Sequence, residues 1–340
     1  MSELWAVENA ELDPDFERAR LVHKWRGFTV IRLRPSAGTD RITYSRVTLT
    51  SDVYMLPLDQ PKAIVNLTPE DWSARPRGWM DAQTPVIGSE RGGGGLYTVP
   101  LDGSEGRPVV DEEIPRVIEF IDGALVWAKY AIEDHHITAL IGQRQAKDAD
   151  EPTEFLRIPI PPDQVMERLD LYGLSCRAER CLFAAPVRDE LQFAEVNSST
   201  GERSDPLFTV GIASRSTAWD LSPDGSRIAL LLTDPPRLLV HDIDAQTTES
   251  RPFPLDIPQN LSWAADGEGL FAVGLLETAA KPYRLLAVDS AGEVSTLWSS
   301  MATFCHSALP SPDGQKLLLG FHGFDDDVWL MEGLSGGTME

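Results

Sequence analysis

Short apolar runs recur along the chain, and the three clearest each follow a turn of similar sequence. The turns are residues 221–225 (LSPDG), 263–267 (WAADG) and 310–314 (PSPDG), and the runs that follow them are residues 227–232 (RIALLL), 269–274 (GLFAVG) and 316–320 (KLLLG). Proline restricts φ and glycine accepts a positive φ, so this sequence favours a tight turn. Each segment therefore predicts a hairpin that joins two strands.

Weaker copies of this turn become visible once the spacing is known. They are residues 35–38 (PSAG), 80–81 (MD), 121–123 (IDG) and 176–181 (CRAERC), each ahead of a short apolar run. Most of the seven turns lie 41 to 47 residues apart, and the one long interval holds a charged insertion at residues 142–152. A repeated unit of this length indicates a fold built from similar small sheets.

Each unit continues with a third apolar run, such as residues 237–243 (RLLVHDI), and a short fourth run, such as residues 62–67 (KAIVNL). Four strands in roughly 40 residues are typical of a β-propeller, whose small sheets bury both faces against their neighbours. The sequence thus predicts an all-β chain that forms a single closed β-propeller of seven four-stranded blades over residues 1–334. The predicted repeats are residues 27–68, 69–110, 111–160, 161–211, 212–256, 257–300 and 301–334.

The last repeat ends after its third strand, so one strand is missing. We expect a strand within residues 18–26, which contain the apolar segment RLVHK, to complete the last blade and remove the open sheet edges. Residues 335–340 are expected to form a flexible tail.

The Ser-Pro-Asp-Gly turns, together with the segment DVWLMEGL at residues 327–334, resemble the TolB-like and WD40-like propeller repeats. They are equally similar to the propellers attached to bacterial winged-helix regulators and serine/threonine kinases. The resemblance covers almost the whole chain and is strongest in its last three repeats. It implies a sensor, a scaffold or a substrate gate. It does not indicate an activity, because proteins of this fold have many different functions. The sequence contains neither a kinase glycine loop nor a winged-helix segment.

The chain carries a formal net charge of −23, from 53 acidic and 30 basic residues. Such a charge repels nucleic acid and anionic membranes at long range and favours a neutral or basic partner.

The sequence has no secretory leader pattern and no apolar run approaching the roughly 18 residues of a membrane span, so we expect a cytoplasmic protein. Cys176 and Cys181 flank a predicted turn and are expected to be a reduced pair in that compartment.

Propeller geometry assigns the loops to two ends of the sheets. Turns from the first to the second strand and from the third to the fourth lie on what we term the first face. Connections between sheets and turns from the second to the third strand lie on the opposite, second face. The candidate ligand-binding residues are those expected at the second face or at the channel mouth: Trp72, Arg75, Arg77, Arg116, His135, His136, Asn260 and His306.

Each candidate also has a structural explanation. The arginines could capture an acidic group or pair with the abundant carboxylates. His135 and His136 could bind a metal with residues 325–327 or belong to exposed polar loops. The glycines at residues 92–95 could cradle an anion or form a hairpin loop. Trp79 and Trp263 precede their turns and are predicted to lie in the core.

The sequence shows no Gly-x-Ser-x-Gly elbow, no His-Glu-x-x-His helix and no dinucleotide-binding glycine pattern. The first hypothesis is therefore a non-enzymatic platform that binds a protein or peptide and needs no cofactor. A metal-dependent, lactonase-like hydrolase stays open, because propellers can assemble a divalent metal site in the central channel from single residues of different blades. A structural subunit of a larger assembly is the third alternative.

Overall fold

The computed structural model describes residues 2–6, 20–25, 29–35, 41–68, 73–89, 95–102, 104, 106–110, 117–121, 124–133, 136–145, 151–162, 171–177, 180–212, 218–280 and 282–331. The regular elements of this part of the chain are strands. None of its segments is a helix long and apolar enough to cross a bilayer. The all-β prediction is confirmed.

The strands are numbered in chain order. The first nine are β1 (Ser2–Ala6), β2 (Arg20–Trp25), β3 (Thr29–Pro35), β4 (Ile42–Pro57), β5 (Val65–Asn66), β6 (Ala74–Asp81), β7 (Thr84–Ser89), β8 (Gly95–Thr98) and β9 (Pro108–Val110). The next eight are β10 (Val117–Ile121), β11 (Ala124–Glu133), β12 (His136–Gln145), β13 (Thr153–Pro159), β14 (Gly173–Arg177), β15 (Arg180–Val187), β16 (Glu190–Val196) and β17 (Arg203–Gly211). The last ten are β18 (Ala218–Leu221), β19 (Arg227–Thr233), β20 (Pro236–Asp242), β21 (Thr247–Pro252), β22 (Ile257–Trp263), β23 (Leu270–Leu275), β24 (Tyr283–Val288), β25 (Val294–Ser300), β26 (Phe304–Pro310) and β27 (Lys316–Met331).

Five sheets are four-stranded antiparallel meanders, in which each strand pairs with the next along the chain. They are β6–β9, β10–β13, β14–β17, β18–β21 and β22–β25, termed sheets A to E. A further sheet, F, has the order β26-β27-β4-β3, with β5 also paired to β4. Sheet F thus combines strands from near both ends of the sequence.

The described residues form six propeller sheets, so the prediction of seven blades is wrong. The error has a definite origin: the strands predicted to make separate first and last blades share sheet F. The N-terminal strand expected in the last blade, β2, pairs instead with β1 in a two-stranded sheet. Local turn signals reveal hairpins, whereas the assignment of hairpins to one sheet depends on pairing between distant segments.

The chain forms two compact units. Ser51–Phe321 contains sheets A to E and the parts of β4, β5, β26 and β27 that lie within its bounds. Met1–Thr50 together with His322–Glu340 contains the β1–β2 pair and the pairing of β3 with the first half of β4. The functional analysis below concerns the Ser51–Phe321 unit.

Apolar side chains fill the spaces between neighbouring sheets of this unit. Leu182 and Phe193 of sheet C pack in one cluster with Leu230 of sheet D. Equivalent clusters join sheets B and C, D and E, and E and F, and a smaller one joins A and B. Another contains Val53 and Leu318 of sheet F with Ile87 of sheet A. Each sheet is therefore apolar on both faces, which explains the continuous apolar character of the second strands.

The Ser-Pro-Asp-Gly turns are stabilised by a local hydrogen-bond network. In sheet D, Ser222 Oγ donates to Asp224 Oδ1 (2.6 Å), the N–H of Ser226 donates to the same oxygen (3.0 Å), and Ser222 Oγ accepts from the N–H of Arg227 (2.8 Å). Asp313 and Ser311 repeat this arrangement in sheet F. Hydrogen bonds from Ser222 and Ser226 lower the pKa of Asp224 to about 2, and the Ser311 hydroxyl lowers the pKa of Asp313.

A basic side chain at the start of a second strand fastens each of three turns to its neighbour. Arg180 Nη1 donates to the carbonyl of Gly225 (2.8 Å), and Arg227 Nη2 donates to the carbonyl of Gly267 (2.6 Å). Lys316 Nζ donates to the carbonyl of Ala82 (3.2 Å), which links sheet F to sheet A. These first-face turns thus accept hydrogen bonds that hold neighbouring sheets together.

Cys176 and Cys181 face each other in the β14–β15 hairpin and are joined by a disulfide. The structure therefore differs from the expected reduced pair. Their Cα atoms are 4.0 Å apart because they occupy directly opposed positions of the two strands. Cys305 is buried in sheet F, and burial raises the pKa of its thiol to about 12.

Acidification should weaken the folded state through the turn aspartates. Because the pKa values of Asp224 and Asp313 are lowered from 3.8 in the folded protein, their stabilisation is present above about pH 4 and is lost as the pH falls towards 2. Urea unfolding between about pH 5 and about pH 2.5 should therefore show a smaller loss of stability in an Asp224→Asn/Asp313→Asn double variant than in the wild type.

Asp266→Asn serves as the control for this pH series. Its turn has alanine where the others have serine, and Asp266 accepts one hydrogen bond, from the N–H of Glu268 (2.9 Å). We expect this variant to keep a pH dependence close to that of the wild type. An unchanged pH dependence in the double variant would contradict the role of the turn network.

Candidate functional site

The second face of the Ser51–Phe321 unit is the end at which the innermost strands begin. The chain enters β6, β14, β18, β22 and β26 there, and the second strands β11, β15, β19 and β23 turn back into third strands. Innermost strands of neighbouring sheets contact one another, and β26 contacts β6. The predicted channel-mouth residues Arg75, Asn260 and His306 lie on three of these strands.

Arg75 is the second residue of β6, opposite Gly88, and its side chain is exposed. Arg77, two residues further along the same strand, is half-buried and already has an interaction within the structure. The two arginines therefore occupy different environments, and Arg75 is the more accessible to a ligand.

Asn260 has a structural role that the sequence did not reveal. Its Oδ1 accepts the N–H of Ala308 on the neighbouring innermost strand (3.1 Å) and the hydroxyl of Ser262 (3.4 Å). An innermost strand has a free backbone edge, so this contact satisfies an amide that would otherwise lack a protein partner. Asn260 joins sheet E to sheet F, and its carbonyl oxygen is already engaged.

His306 is half-buried on β26, and its ring lies against the backbone of Gly320. A Cβ atom at position 320 would lie 2.4 Å from His306 Cε1 and 2.7 Å from Ser307 Oγ, so glycine is required for the ring to fit. The structure therefore positions His306 by packing within sheet F.

The side chains of the other predicted site residues lie outside the described part of the chain. Trp72, Arg116 and His135 lie outside the described residues. His136 begins β12 opposite Glu133, which gives its backbone position alone. Of the glycines at residues 92–95, the first three are also outside the described part, and residues 325–327 lie within β27.

A buried carboxylate, Asp220, connects three sheets and was not among the predicted site residues. Its Oδ1 accepts Ser175 Oγ (3.2 Å), Arg177 Nη2 (3.3 Å) and the N–H of Leu221 (2.9 Å). Its Oδ2 accepts the N–H of Trp263 (3.0 Å). Burial raises the pKa of Asp220, and the Arg177 guanidinium and the hydrogen-bond donors oppose that rise.

The acceptor capacity of Asp220 is occupied by sheets C, D and E, so this carboxylate holds the sheets together and is not available to a ligand. No sequence signal distinguishes it, because the equivalent positions of the other repeats carry different residues. Only its hydrogen bonds to Trp263 and Ser175, which are 43 and 45 positions away in the sequence, reveal its role.

Two tryptophans join neighbouring innermost strands in the same way. Trp263 Nε1 donates to the carbonyl of Asp220 (3.2 Å), and Trp79 Nε1 donates to the carbonyl of Leu309 (3.0 Å). Their exposed fractions are 4% and 8%, so the prediction that both belong to the core is confirmed.

The second face also carries features that sequence reasoning missed. Ile132, Val187 and Met301 are exposed to 52%, 43% and 71%, the first two where second strands end and the third between β25 and β26. Arg237 and Arg284 are each the second residue of a third strand, in β20 and β24. Both are half-buried, and the Nε atom of each is buried without a hydrogen-bond partner among the described residues.

Metal-ligating side chains are dispersed over the described strands and turns. No group of three or more His, Cys, Asp or Glu residues there is arranged to hold a metal ion. The residues that the sequence suggested as partners in a metal site, His135 and residues 325–327, have side chains outside the described set.

No family model matches the sequence, and no curated protein matches it. Solved structures do match. A crystal structure of a nidogen/laminin complex is 10% identical, over 81% of this chain and 98% of that one, with a TM-score of 0.50. A puromycin-hydrolysing peptidase of Mycobacterium tuberculosis is 15% identical, over 83% of this chain and 47% of that one, with a TM-score of 0.52. TolB from Acinetobacter baumannii is 13% identical, over 89% and 81%, with a TM-score of 0.46.

Loss of the Asp220 carboxylate should destabilise the protein strongly. Asp220→Ala leaves Arg177, Ser175 and two backbone N–H groups without their acceptor in a buried site, so we expect a loss of about 3–5 kcal/mol. Chemical denaturation measures this loss. The matched control is Asp224→Ala at an exposed turn, with an expected loss of about 1 kcal/mol. Equal losses in the two variants would contradict the role assigned to Asp220.

Replacement of Asn260 should lower the stability of the protein, because its side chain joins two sheets. Asn260→Ala removes the acceptor for the N–H of Ala308, and we expect the free energy of unfolding to fall by about 1–3 kcal/mol. The adjacent residue provides the control, because Gln259→Ala changes an exposed side chain. Thermal or urea unfolding of both variants distinguishes them, and an unchanged stability of Asn260→Ala would show that the side chain is free.

These identities are low, so the likeness shows the fold and not the activity. The meander of small sheets agrees with the two matched structures whose TM-scores are 0.50 and 0.52. The chain is a β-propeller.

Proposed function

We propose that this propeller is a non-enzymatic platform that binds a protein or peptide through its second face. The observation that carries the proposal is the pair Arg237 and Arg284. They occupy equivalent positions in sheets D and E, two residues into the third strand, and their neighbours continue identically as Leu-Leu. An arginine at the same position of two repeats indicates that this residue is part of the repeated arrangement of the second face.

The two arginines contrast with the basic residues that hold the sheets together. Arg177, Arg180 and Lys316 make ion pairs with carboxylates. The Nε donors of Arg237 and Arg284 are buried without an acceptor in the described part of the chain, although the chain has a large excess of acidic residues. A planar guanidinium binds carboxylate and carbonyl oxygens, and both arginine side chains are half-buried, so a partner at the second face can reach their accessible part.

The exposed apolar residues of the second face supply the second component of an interface. Ile132 and Val187 end the second strands of the adjacent sheets B and C, and Met301 precedes sheet F. Methionine and arginine are enriched at protein interfaces, where a few apolar anchors account for most of the binding energy. On the first face, the turns at Gly225, Gly267 and Ala82 instead accept hydrogen bonds that hold neighbouring sheets together.

We also propose that the six sheets close into a ring. Trp79 and Lys316 each make a hydrogen bond between sheets A and F, and Val53, Leu318 and Ile87 pack in one cluster. These contacts support a ring in which sheet F, built from strands distant in sequence, is the last element. A closed ring would hold the second-face loops in a fixed arrangement.

The net charge of −23 favours a neutral or basic protein partner. Carbonyl oxygens of a neutral segment suit the arginine donors without adding negative charge to this acidic protein. The matched nidogen/laminin structure is itself a protein complex, in keeping with a propeller that binds protein.

Variants at the second face should weaken peptide binding. Peptides selected from a phage-displayed random library on the wild-type protein, then synthesised with a fluorophore, provide the probe for anisotropy measurements. We expect Arg237→Ala/Arg284→Ala to weaken binding about tenfold or more, and Val187→Asp/Met301→Asp to act in the same direction.

The controls lie away from the second face. Arg157→Ala removes an arginine from the outer strand β13, and Met80→Asp alters an apolar residue that is 40% exposed next to a first-face turn. Both should bind the peptides as the wild type does. Equal losses in all variants, or no loss in any, would overturn the second-face assignment.

Metal addition separates this proposal from the hydrolase alternative. Purified protein is measured for bound metal by mass spectrometry and for a change in Tm on addition of Ca²⁺, Mg²⁺, Mn²⁺ or Zn²⁺, since a ligand that binds the native state raises the Tm. Stoichiometric metal with a matching rise in Tm would overturn the platform proposal in favour of a metal-dependent site.

A further inference from the structure

The outermost strand of a propeller sheet has one backbone edge that is not paired within the sheet. Such an edge can accept a strand from another molecule, and proteins usually prevent this with proline, charge, short strands or a covering segment. The outermost strands of the Ser51–Phe321 unit differ in these protective features.

Five of the six outer edges are protected. β5 has two residues, and β9 has three and begins with proline. The other three combine proline with charged residues: Glu154, Arg157 and Pro159 in β13; Arg203, Asp205 and Pro206 in β17; Glu249, Arg251 and Pro252 in β21.

Segments of neighbouring sheets also cover two of these edges. The turn at Gly201 approaches β13 so closely that a Cβ atom there would lie 2.5 Å from the carbonyl oxygen of Phe155. Arg203 Nη2 donates to the carbonyl of Arg157 on the same strand (2.5 Å). The turn at Gly292 lies against the Arg251 guanidinium of β21.

The outer strand of sheet E, β25, has none of these features. Its seven residues, Val-Ser-Thr-Leu-Trp-Ser-Ser, contain no charge, no proline and no glycine. Valine, threonine, leucine and tryptophan give it the composition of segments that pair readily with other strands. Val294, Ser295 and Thr296 are exposed, and the corresponding turn of the next sheet, residues 59–64, is exposed as well.

The hydrogen-bond pattern shows which groups of β25 face outwards. The carbonyl of Glu293 accepts the N–H of Asp289 (3.1 Å), so the backbone groups of Glu293 point towards β24. Backbone groups of successive strand residues point in opposite directions, which places the N–H and C=O of Val294 and Thr296 on the outer edge. No other backbone segment bonds to them within the described residues.

The second half of β25 anchors the strand. Leu297 and Trp298 pack into the cluster between sheets E and F, where the Trp298 ring lies 4.9 Å from that of Phe321. The register shift between Leu285 and Leu286 accommodates both side chains on this side. The strand is therefore held by its side chains while its outer backbone edge stays open.

We propose that β25 is a docking edge at which an extended segment of a partner protein adds as a further strand of sheet E. The segment has β-branched or apolar residues and neutral or basic flanks, because the chain carries a net charge of −23 and the exposed Glu293 precedes the strand. Like-charge repulsion disfavours a second copy of this chain as the occupant. This surface is separate from the second face.

The test uses one position whose N–H faces outwards. Thr296→Pro removes that donor at an edge position where proline is sterically tolerated, whereas Thr296→Val keeps the backbone donor and the side-chain shape. The probe is a fluorophore-labelled synthetic peptide with alternating threonine and valine and a lysine at each end. We expect Thr296→Pro to weaken its binding about tenfold or more, and Thr296→Val to bind as the wild type does.

A second measurement is independent of the folding of either variant. A peptide of the same sequence with every backbone amide N-methylated cannot form the strand ladder on either of its edges, so its binding to the wild-type protein should be lost. In the wild-type complex, hydrogen exchange of the Val294 and Thr296 amides should slow. Full binding of the methylated peptide, or unchanged exchange at both amides, would overturn the proposal.

Two further outcomes are decisive. Sedimentation of the protein alone reports a second copy: a dimer that Thr296→Pro dissociates would replace the partner protein with another molecule of this chain and overturn the stated occupant. Arg237→Ala/Arg284→Ala should leave binding of the threonine–valine peptide unchanged. A loss there would assign the peptide to the second face and overturn β25 as its site, so the two proposals can fail separately.

Discussion

The burial of both faces of every small sheet is the constraint on which this structure depends. Leu230 of sheet D faces sheet C, while Leu231, the next residue of the same strand, belongs to the cluster shared with sheet E. A strand that is apolar at consecutive positions cannot be stable with one side in water, so each sheet requires two neighbours. Stability therefore belongs to the assembly of sheets and not to any single repeat.

The same arrangement leaves backbone groups of the innermost strands without a partner strand. Side chains of the neighbouring sheet bond to them: Asp220 accepts the N–H of Trp263, and Asn260 accepts the N–H of Ala308. Polar residues near the axis are for this reason poor indicators of a ligand site. Asn260, a candidate for binding on sequence grounds, contributes a contact between sheets.

The proposed binding sites use groups that do not take part in these hydrogen bonds between neighbouring sheets. The buried Nε donors of Arg237 and Arg284 have no acceptor among the described residues, and β25 has an edge without charge or proline. The arginines lie at the second face, and the outer backbone edge of β25 stays open while Leu297 and Trp298 of the same strand pack between sheets E and F. One scaffold can thus offer two separate surfaces, because propeller sheets need their faces for stability and leave their ends and outer edges available.

The sequence by itself determined the strand class, the hairpin turns and the core position of Trp79 and Trp263, because turn chemistry and apolar runs act between near neighbours in the chain. Only the tertiary structure decided that the described residues form six propeller sheets, that β4 shares a sheet with β26 and β27, and that Asp220 is a contact between sheets. It also revealed the arginine pair and the open edge of β25. These features depend on pairing between distant segments, such as Trp79 and Leu309 at 230 positions apart, and no local pattern specifies which distant segment a strand will meet.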